Sequence, residues 1–318
     1  MKLILTLLCR DEEDILNEMI LFHYEKGVDL IVATDNGSKD GSRSILERYA
    51  RTGRLVLLDE PEYNHDQAIW VSRMAQIATD LGADWIIHSD ADEFWWPKHD
   101  DLKTTLMRSP ESVEAWEVER TNFLPPSRKS NQNHKHFHQR QLIREKNSTN
   151  NLGKPLPPKI CHRAGPNLSV SDGNHAVMLK GESIRAERHT ELEILHFPVR
   201  SYVQLKRKIS QGATALKNNK RIHRDTGNTW RTLYEEKLKT GTLRQYYANL
   251  RPGRDEIRKR LKTGELIKDQ RLQKHFQTTP RVAVITPYFK EDIDLLRRRH
   301  QSVQNQTIRC LHILVADG

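Results

Sequence analysis

Three carboxylates crowd into four residues at Asp90, Asp92 and Glu93, within the run IIHSDADEFWWP from Ile86 to Pro97. Acids packed that closely repel one another unless a positive charge lies between them. A divalent cation is one such charge, because hard cations take carboxylate oxygens. A solvated loop whose acids point apart is the competing explanation. Asp35 closes a second apolar run, VDLIVATD, and His196 follows a third, in ILHFP, either as a ligand or as a core residue. Asp172 and His175 in SDGNH offer two proton acceptors, in a stretch that equally suits a hairpin turn. HKHFH sets His134, His136 and His138 on one side of an extended chain, which suits a metal site, but no second ligand cluster accompanies them and a polar loop holding three histidines explains them as well. NGSKDGSRSILE has the spacing of a calcium loop, but it opens on Asn36 and follows a strand, which argues against that function.

The elements around these groups decide between the readings. LILTLLC, Leu3 to Cys9, is a continuous apolar run, as a parallel strand buried on both faces requires. From Asp11 to Lys26 apolar residues recur at Ile15, Met19 and Phe22, which predicts a helix ending at Gly27. Val28 to Thr34 is a second strand, Arg43 to Arg51 a helix, RLVLLD a third strand, His65 to Leu81 a helix, and Asp84 to Ser89 a fourth strand. Strand and helix alternating at this spacing argue for a right-handed, doubly wound α/β sheet. Such sheets bind ligands in the crevice outside the carboxyl ends of their strands. Asp35 and the acidic triplet both fall on that edge, which is hard to reconcile with solvated decoration. After Pro97, SVEAWEVERTNF alternates as an antiparallel strand does, and short strands follow around PKICHR, HAVMLK and LEILHF. Phe94, Trp95 and Trp96 either floor a sugar pocket or pack into the core.

The pieces RDEEDILNEMILFHYEKGVD, TDNGSKDGS, DQAIWVSRMA, DADEFWWP and LEILHFPVRSYVQLKRKI together resemble a family 2 glycosyltransferase of the GT-A fold, over about residues 1 to 215. The resemblance implies a mainly parallel nucleotide-diphospho-sugar transferase sheet followed by a basic helical segment. It also implies roles. Asp35 would bond the uracil of a UDP-sugar, with Cys9, Arg10 and Asp11 bordering the base. Asp90 would lie near the ribose and the metal. Asp92 would ligate Mn²⁺ or Mg²⁺ bridging the diphosphate, and His196 would complete the metal site. Gln67 and Arg73 match polar positions near the nucleotide, and a surface role serves Arg73 as well. The base that activates the acceptor would be Asp172, His175 or Glu93. The activity implied is metal-dependent, inverting transfer of a sugar to a glycan or lipid-linked acceptor of the cell envelope. An inactive carbohydrate- or anion-binding module on the same fold is the alternative, and the retained Asp35, Asp90 and Asp92 speak against it.

Composition bounds the rest. The chain has 318 residues, of which 30% are charged, and no apolar run approaches the length of a membrane span. The opening MKLILTLLCRDEED imitates a signal peptide, but its apolar run meets acids and has no small-residue cleavage site. Cys9, Cys161 and Cys310 lie far apart and form no disulfide framework, which fits a cytoplasmic setting, including one peripheral to the inner membrane face. Val199 to Pro280 carries 21 Lys and Arg against 7 Asp and Glu, on an otherwise mildly acidic chain. Such a field suits an anionic membrane surface or phosphorylated acceptor; no motif there suits nucleic acid. Finally, Val282 to Gly318 repeats the plan of Leu3 to Gly37, with Asp317 opposite Asp35. The expected organisation is a GT-A domain at 1–220, a basic helical linker at 221–280, and at 281–318 the truncated start of a second GT-A domain.

Overall fold

The computed structural model describes residues 1–62, 66–127, 136–150, 153–219, 228–278, 282–304 and 310–316. They belong to two compact units, Met1–Lys268 and Asp269–Gly318. His65, His134 and Asp317, named above, lie outside the described residues.

The first unit opens with β1 (Leu3–Cys9), α1 (Leu16–Glu25), β2 (Leu30–Asp35), α2 (Ser42–Ala50), β3 (Leu55–Asp59), α3 (Gln67–Asp80) and β4 (Trp85–Asp90). β5 (Glu93–Pro97), α4 (Leu102–Met107), β6 (Ala115–Val118), β7 (Arg120–Asn122), β8 (Ile143–Glu145) and β9 (Lys159–Arg163) follow. Then come β10 (Leu168–Val170), β11 (Val177–Leu179), β12 (Glu182–Ser183), β13 (Ala186–Arg188), β14 (Leu192–His196) and the long α5 (Tyr202–Asn218). The central sheet runs β13-β6-β9-β4-β1-β2-β3, with β1 to β4 mutually parallel and β9 antiparallel to both of its neighbours. The expected doubly wound, mainly parallel α/β sheet is present.

Connections move outward from β1 to β3 and then jump back to β4. With right-handed crossovers, that reversal puts α3 on the face opposite α1 and α2. Val71, Met74, Ala75 and Ala78 of α3 accordingly pack on Ile4, Val32 and Ile86, while α1 buries Leu16, Met19, Ile20 and Phe22. The switch point lies between β1 and β4, where Leu8 is level with Asp90, and Cys9 of β1 is level with Asp35 of β2.

Two expectations are corrected. The first helix begins at Leu16 and not at Asp11, because Asp11 adopts a left-handed φ of 52° that ends regular structure there. SVEAWEVERTNF is two strands in different sheets: β6 joins the central sheet, while β7 pairs in parallel with β14, which is antiparallel to β5. This second sheet, β5-β14-β7, sets His196 level with both Glu93 and Asn122.

Beyond α5 lie α6 (Asn228–Leu233), a π-helical turn, α7 (Leu243–Asn249), α8 (Arg254–Lys262) and β15 (Leu266–Lys268). Leu233 and Leu243 pack on Leu205 and Ile209 of α5. Gly212 lets the Trp230 ring approach, since a Cβ there would stand 3.1 Å from it. β15 pairs with β8. The second unit contains α9 (Arg271–Thr278), β16 (Val282–Tyr288), α10 (Ile293–Gln304) and β17 (Cys310–Ala316), with β16 and β17 parallel. It thus has the strand–helix–parallel strand plan of the chain's opening. Among the described residues no helix is long and apolar enough to cross a membrane.

Candidate active site

Asp92 is 2% exposed, just past the end of β4, and two cationic side chains and an imidazole converge on it. The Lys208 Nζ donates to Oδ2 at 2.5 Å, the Arg200 guanidinium lies 3.9 Å from the same oxygen, and His196 Nε2 is 3.6 Å from Oδ1. Burial works against a charged carboxylate here, yet Lys208, His196 and Arg200 outweigh it and hold Asp92 well below the usual range. His196 is fixed from behind: its Nδ1 is 2.7 Å from Asn122 Oδ1. An imidazole that donates Nδ1–H to an amide oxygen keeps its Nε2 lone pair, when neutral, for a ligand on the Asp92 side.

Asp90 points elsewhere. Its Oδ2 accepts from Lys159 Nζ at 2.6 Å, and Asn174 Nδ2 approaches Oδ1 at 3.5 Å. Burial raises the Asp90 carboxyl, but Lys159 prevails and lowers it. Lys159 is itself 1% exposed and also lies 3.3 Å from Glu93. Glu93 is fully buried, bridges to Arg120 at 3.2 Å, and accepts from the Asp90 backbone N–H at 3.2 Å. The acidic triplet is therefore neutralised by two separate sets of cations. Phe94 and Trp95 are fully buried, and Phe94 packs edge-on against Phe22 and Phe197, so these two rings belong to the core and not to a sugar floor.

The loops after β1 and β2 are laced together. Asp35 Oδ1 accepts from the Ser38 hydroxyl at 2.6 Å and its N–H at 3.1 Å, while Oδ2 lies 3.7 Å from Arg43. Arg10 donates to the Asn36 carbonyl at 2.7 Å. Asp11 turns its carboxylate back to the N–H groups of Lys39, at 2.5 Å, and Asp40, at 3.1 Å. Burial raises the Asp11 carboxyl, and these donors together with Gln211 and Arg207 more than offset it. The Cys9 thiol is buried, which pushes it well up and keeps it from acting as a thiolate. Arg73 pairs with Glu60 at 3.1 Å, and Gln67 sits in the first turn of α3. There the exposed Asp172 accepts the Ala68 N–H at 3.1 Å, capping a helix 104 residues away in sequence. Nδ1 of His175 lies 2.7 Å from the Pro158 carbonyl, and burial brings its pKa down to about 4, so it is neutral near pH 7.

Several residues of this network have no strong sequence signal. Arg200, fully buried, makes a two-pronged bond to Asp14 at 2.8 Å on each prong and pairs with Glu12. Burial raises the Glu12 carboxyl, and Arg200 and Lys208 offset that only in part. On α5, Gln204, Lys208 and Gln211 recur at helical spacing; that periodicity is the one trace of a site-facing polar stripe. Asn122, Lys159 and Asn174 carry no such trace.

No family model matches the chain, and no curated protein does. Among solved structures it is similar to TarS 1-349 of S. aureus, at 10% identity over 68% of this chain and 66% of that chain, with a TM-score of 0.38. The same protein in complex with UDP-GlcNAc matches with a TM-score of 0.39 at 10% identity, covering 68% of this chain and 67% of that one. Glucosyl-3-phosphoglycerate synthase from Mycobacterium tuberculosis, in complex with Mn²⁺, UDP and glucosyl-3-phosphoglycerate, matches at 16% identity with a TM-score of 0.27, covering 37% and 44%. Likeness at these scores assigns neither family nor activity.

Proposed function

We propose that this chain is a divalent-metal-dependent glycosyltransferase that moves a sugar, with inversion, from a nucleotide-sugar donor to a glycan or lipid-linked acceptor. UDP-sugars are the favoured donors. The observation that carries this reading is the carboxylate–imidazole pair of Asp92 Oδ1 and His196 Nε2, 3.6 Å apart at the switch point of a parallel sheet. That donor set fits a divalent cation, which commonly takes one or two protein ligands and completes its shell from a diphosphate and water. Lys208 occupies the other oxygen of Asp92 and leaves Oδ1 open to that role. A cation bound there supplies Lewis-acid neutralisation of the departing diphosphate.

The chain's own groups do the rest. Asp35, at the end of β2, accepts from the base. Lys159 holds Asp90 charged and oriented toward the ribose. Arg200 locks the β1–α1 loop to Asp92 by binding Glu12 and Asp14 together. Among the three candidate bases, Glu93 is committed to Lys159 and Arg120, and His175 is half-buried under Gly173. Asp172 is exposed, engages among the described residues only the Ala68 N–H, through Oδ1, and lies two residues from Asn174, which touches Asp90; we assign it the acceptor proton. The C-terminal unit is proposed to open a second domain of the same kind, on the strength of its matching strand–helix–strand plan.

A second reading rests on the 2.5 Å contact of Lys208 with Asp92. Lys208 would then supply the countercharge to the diphosphate without metal. Calorimetry of UDP with and without Mn²⁺ separates the two. The metal reading expects UDP affinity to rise at least about tenfold with Mn²⁺. The lysine reading expects no response to Mn²⁺ and a large loss on Lys208→Met.

A further inference from the structure

We infer a second metal site, for a zinc-class divalent ion, formed by Glu18 of α1 with His136 and His138. One ligand atom from each residue lies within 4.8 Å of the others. His136 Nδ1 already stands 2.6 Å from Glu18 Oε1, and the two imidazole rings stack at 5.4 Å with 27° between planes. Four-coordinate zinc, with bonds of about 2.0–2.1 Å, needs ligand atoms about 3.3 Å apart, so only small side-chain rotations separate the cluster from that geometry. Two imidazoles and one carboxylate favour zinc and its neighbours over Mg²⁺ or Ca²⁺, which prefer all-oxygen shells. The fourth position takes water. The set shares no residue with the Asp92–His196 pair.

The setting explains what such an ion would do. His138 is buried, Glu18 is half-buried, and the His136 side chain is 42% exposed, so the site opens to solvent on one side. Between the histidines, Phe137 is buried against Phe94 at 5.6 Å and Phe197 at 4.9 Å. Phe197 immediately follows His196 at the end of β14. A metal joining α1 to residues 136–138 therefore clamps the aromatic plug behind the active-site imidazole. The hydrogen bond from His136 to Glu18 alone would tether only the surface residue, leaving His138 outside the clamp.

The test uses the full chain carrying Asp92→Asn and His196→Ala, stripped of metal and titrated with Zn²⁺ and then with Co²⁺ as a spectroscopic probe. One Zn²⁺ per chain is expected, with Co²⁺ absorption of four-coordinate type. Adding Glu18→Gln, which keeps the side chain's size, or His136→Ala should weaken binding by about tenfold or more with an unchanged circular dichroism spectrum. If the background variant does not fold, the same two substitutions are made in the wild-type chain, where each should remove one bound Zn²⁺. Absence of Zn²⁺ binding in a folded background, or binding indifferent to both substitutions, overturns the site.

Discussion

Asp92 is asked to do two things, and its surroundings let them be separated. Asp92→Asn should abolish the Mn²⁺-dependent part of UDP affinity and leave metal-free UDP affinity nearly unchanged, as calorimetry will read. Removing its charge also leaves Lys208 with Glu12, 3.7 Å away, in place of its close partner, which should cost about 3 kcal/mol in urea unfolding, the usual scale for breaking a buried pair. Because its carboxyl is depressed in the fold, the stability it contributes is present above the unfolded value of about 3.9 and is lost as pH falls through the folded one. Asp35→Ala makes a different prediction: UDP binding weakens equally with and without Mn²⁺. A loss confined to the Mn²⁺ condition would move Asp35 into the metal site. These acids were legible in the sequence because each ends an apolar run. Their cations were not, since Lys159 reads as an ordinary strand residue and Arg200 meets Asp14 across 186 positions.

At the scale of elements, β1, β4 and β9 are joined by a buried polar ladder. The His162 Nδ1 donates to the Arg163 carbonyl at 2.7 Å, which leaves its Nε2 to accept from His88 Nε2–H at 2.9 Å. His88 Nδ1 then accepts from the Thr6 hydroxyl at 2.7 Å. The Nε2–Nε2 bond needs one of its two nitrogens unprotonated, so the two imidazoles cannot both be charged without breaking the ladder. Burial accordingly lowers His162, and likewise His23, to about 4, and lowers His88 well below its ordinary value. The unfolded chain takes up protons at these histidines below about pH 6.5 while the fold does not, so stability should fall as pH drops from there toward 4. A melting temperature flat across that window would contradict the ladder. The segment between β14 and α5 carries the other element-level prediction: Arg200→Met leaves Glu12, Asp14 and Asp92 facing one another and should cost about 3–5 kcal/mol. The alternation of apolar strands and amphipathic helices made β1 to β4 readable. The break of SVEAWEVERTNF into two sheets was not, because both strands alternate alike and only their partners differ.

Across the whole molecule, the basic stretch is less available than its composition suggests. Arg200, Arg207 and Lys208 are drawn onto Glu12, Asp14, Asp40 and Asp92, and Arg251 donates to the Pro126 carbonyl at 2.6 Å. The remaining charge should still bring the chain down with anionic vesicles but not neutral ones, each residue near the surface adding about 1 kcal/mol, and salt should weaken it. Equal recovery with neutral vesicles, or none with either, would make these helices packing elements alone. The repeat of strand, helix and strand was legible in sequence from its matching length and acids. The partner of the alternating histidines was hidden, because Glu18 lies 118 residues from His136. The central claim concerns catalysis, and one measurement reaches it most directly: a panel of nucleotide sugars incubated with the chain and Mn²⁺, read by release of UDP or GDP. Transferase chemistry predicts release from one or a few UDP-sugars, lost on chelation and in Asp92→Asn. No release from any donor, by a chain that nonetheless binds carbohydrate, would contradict the account and leave a binding module.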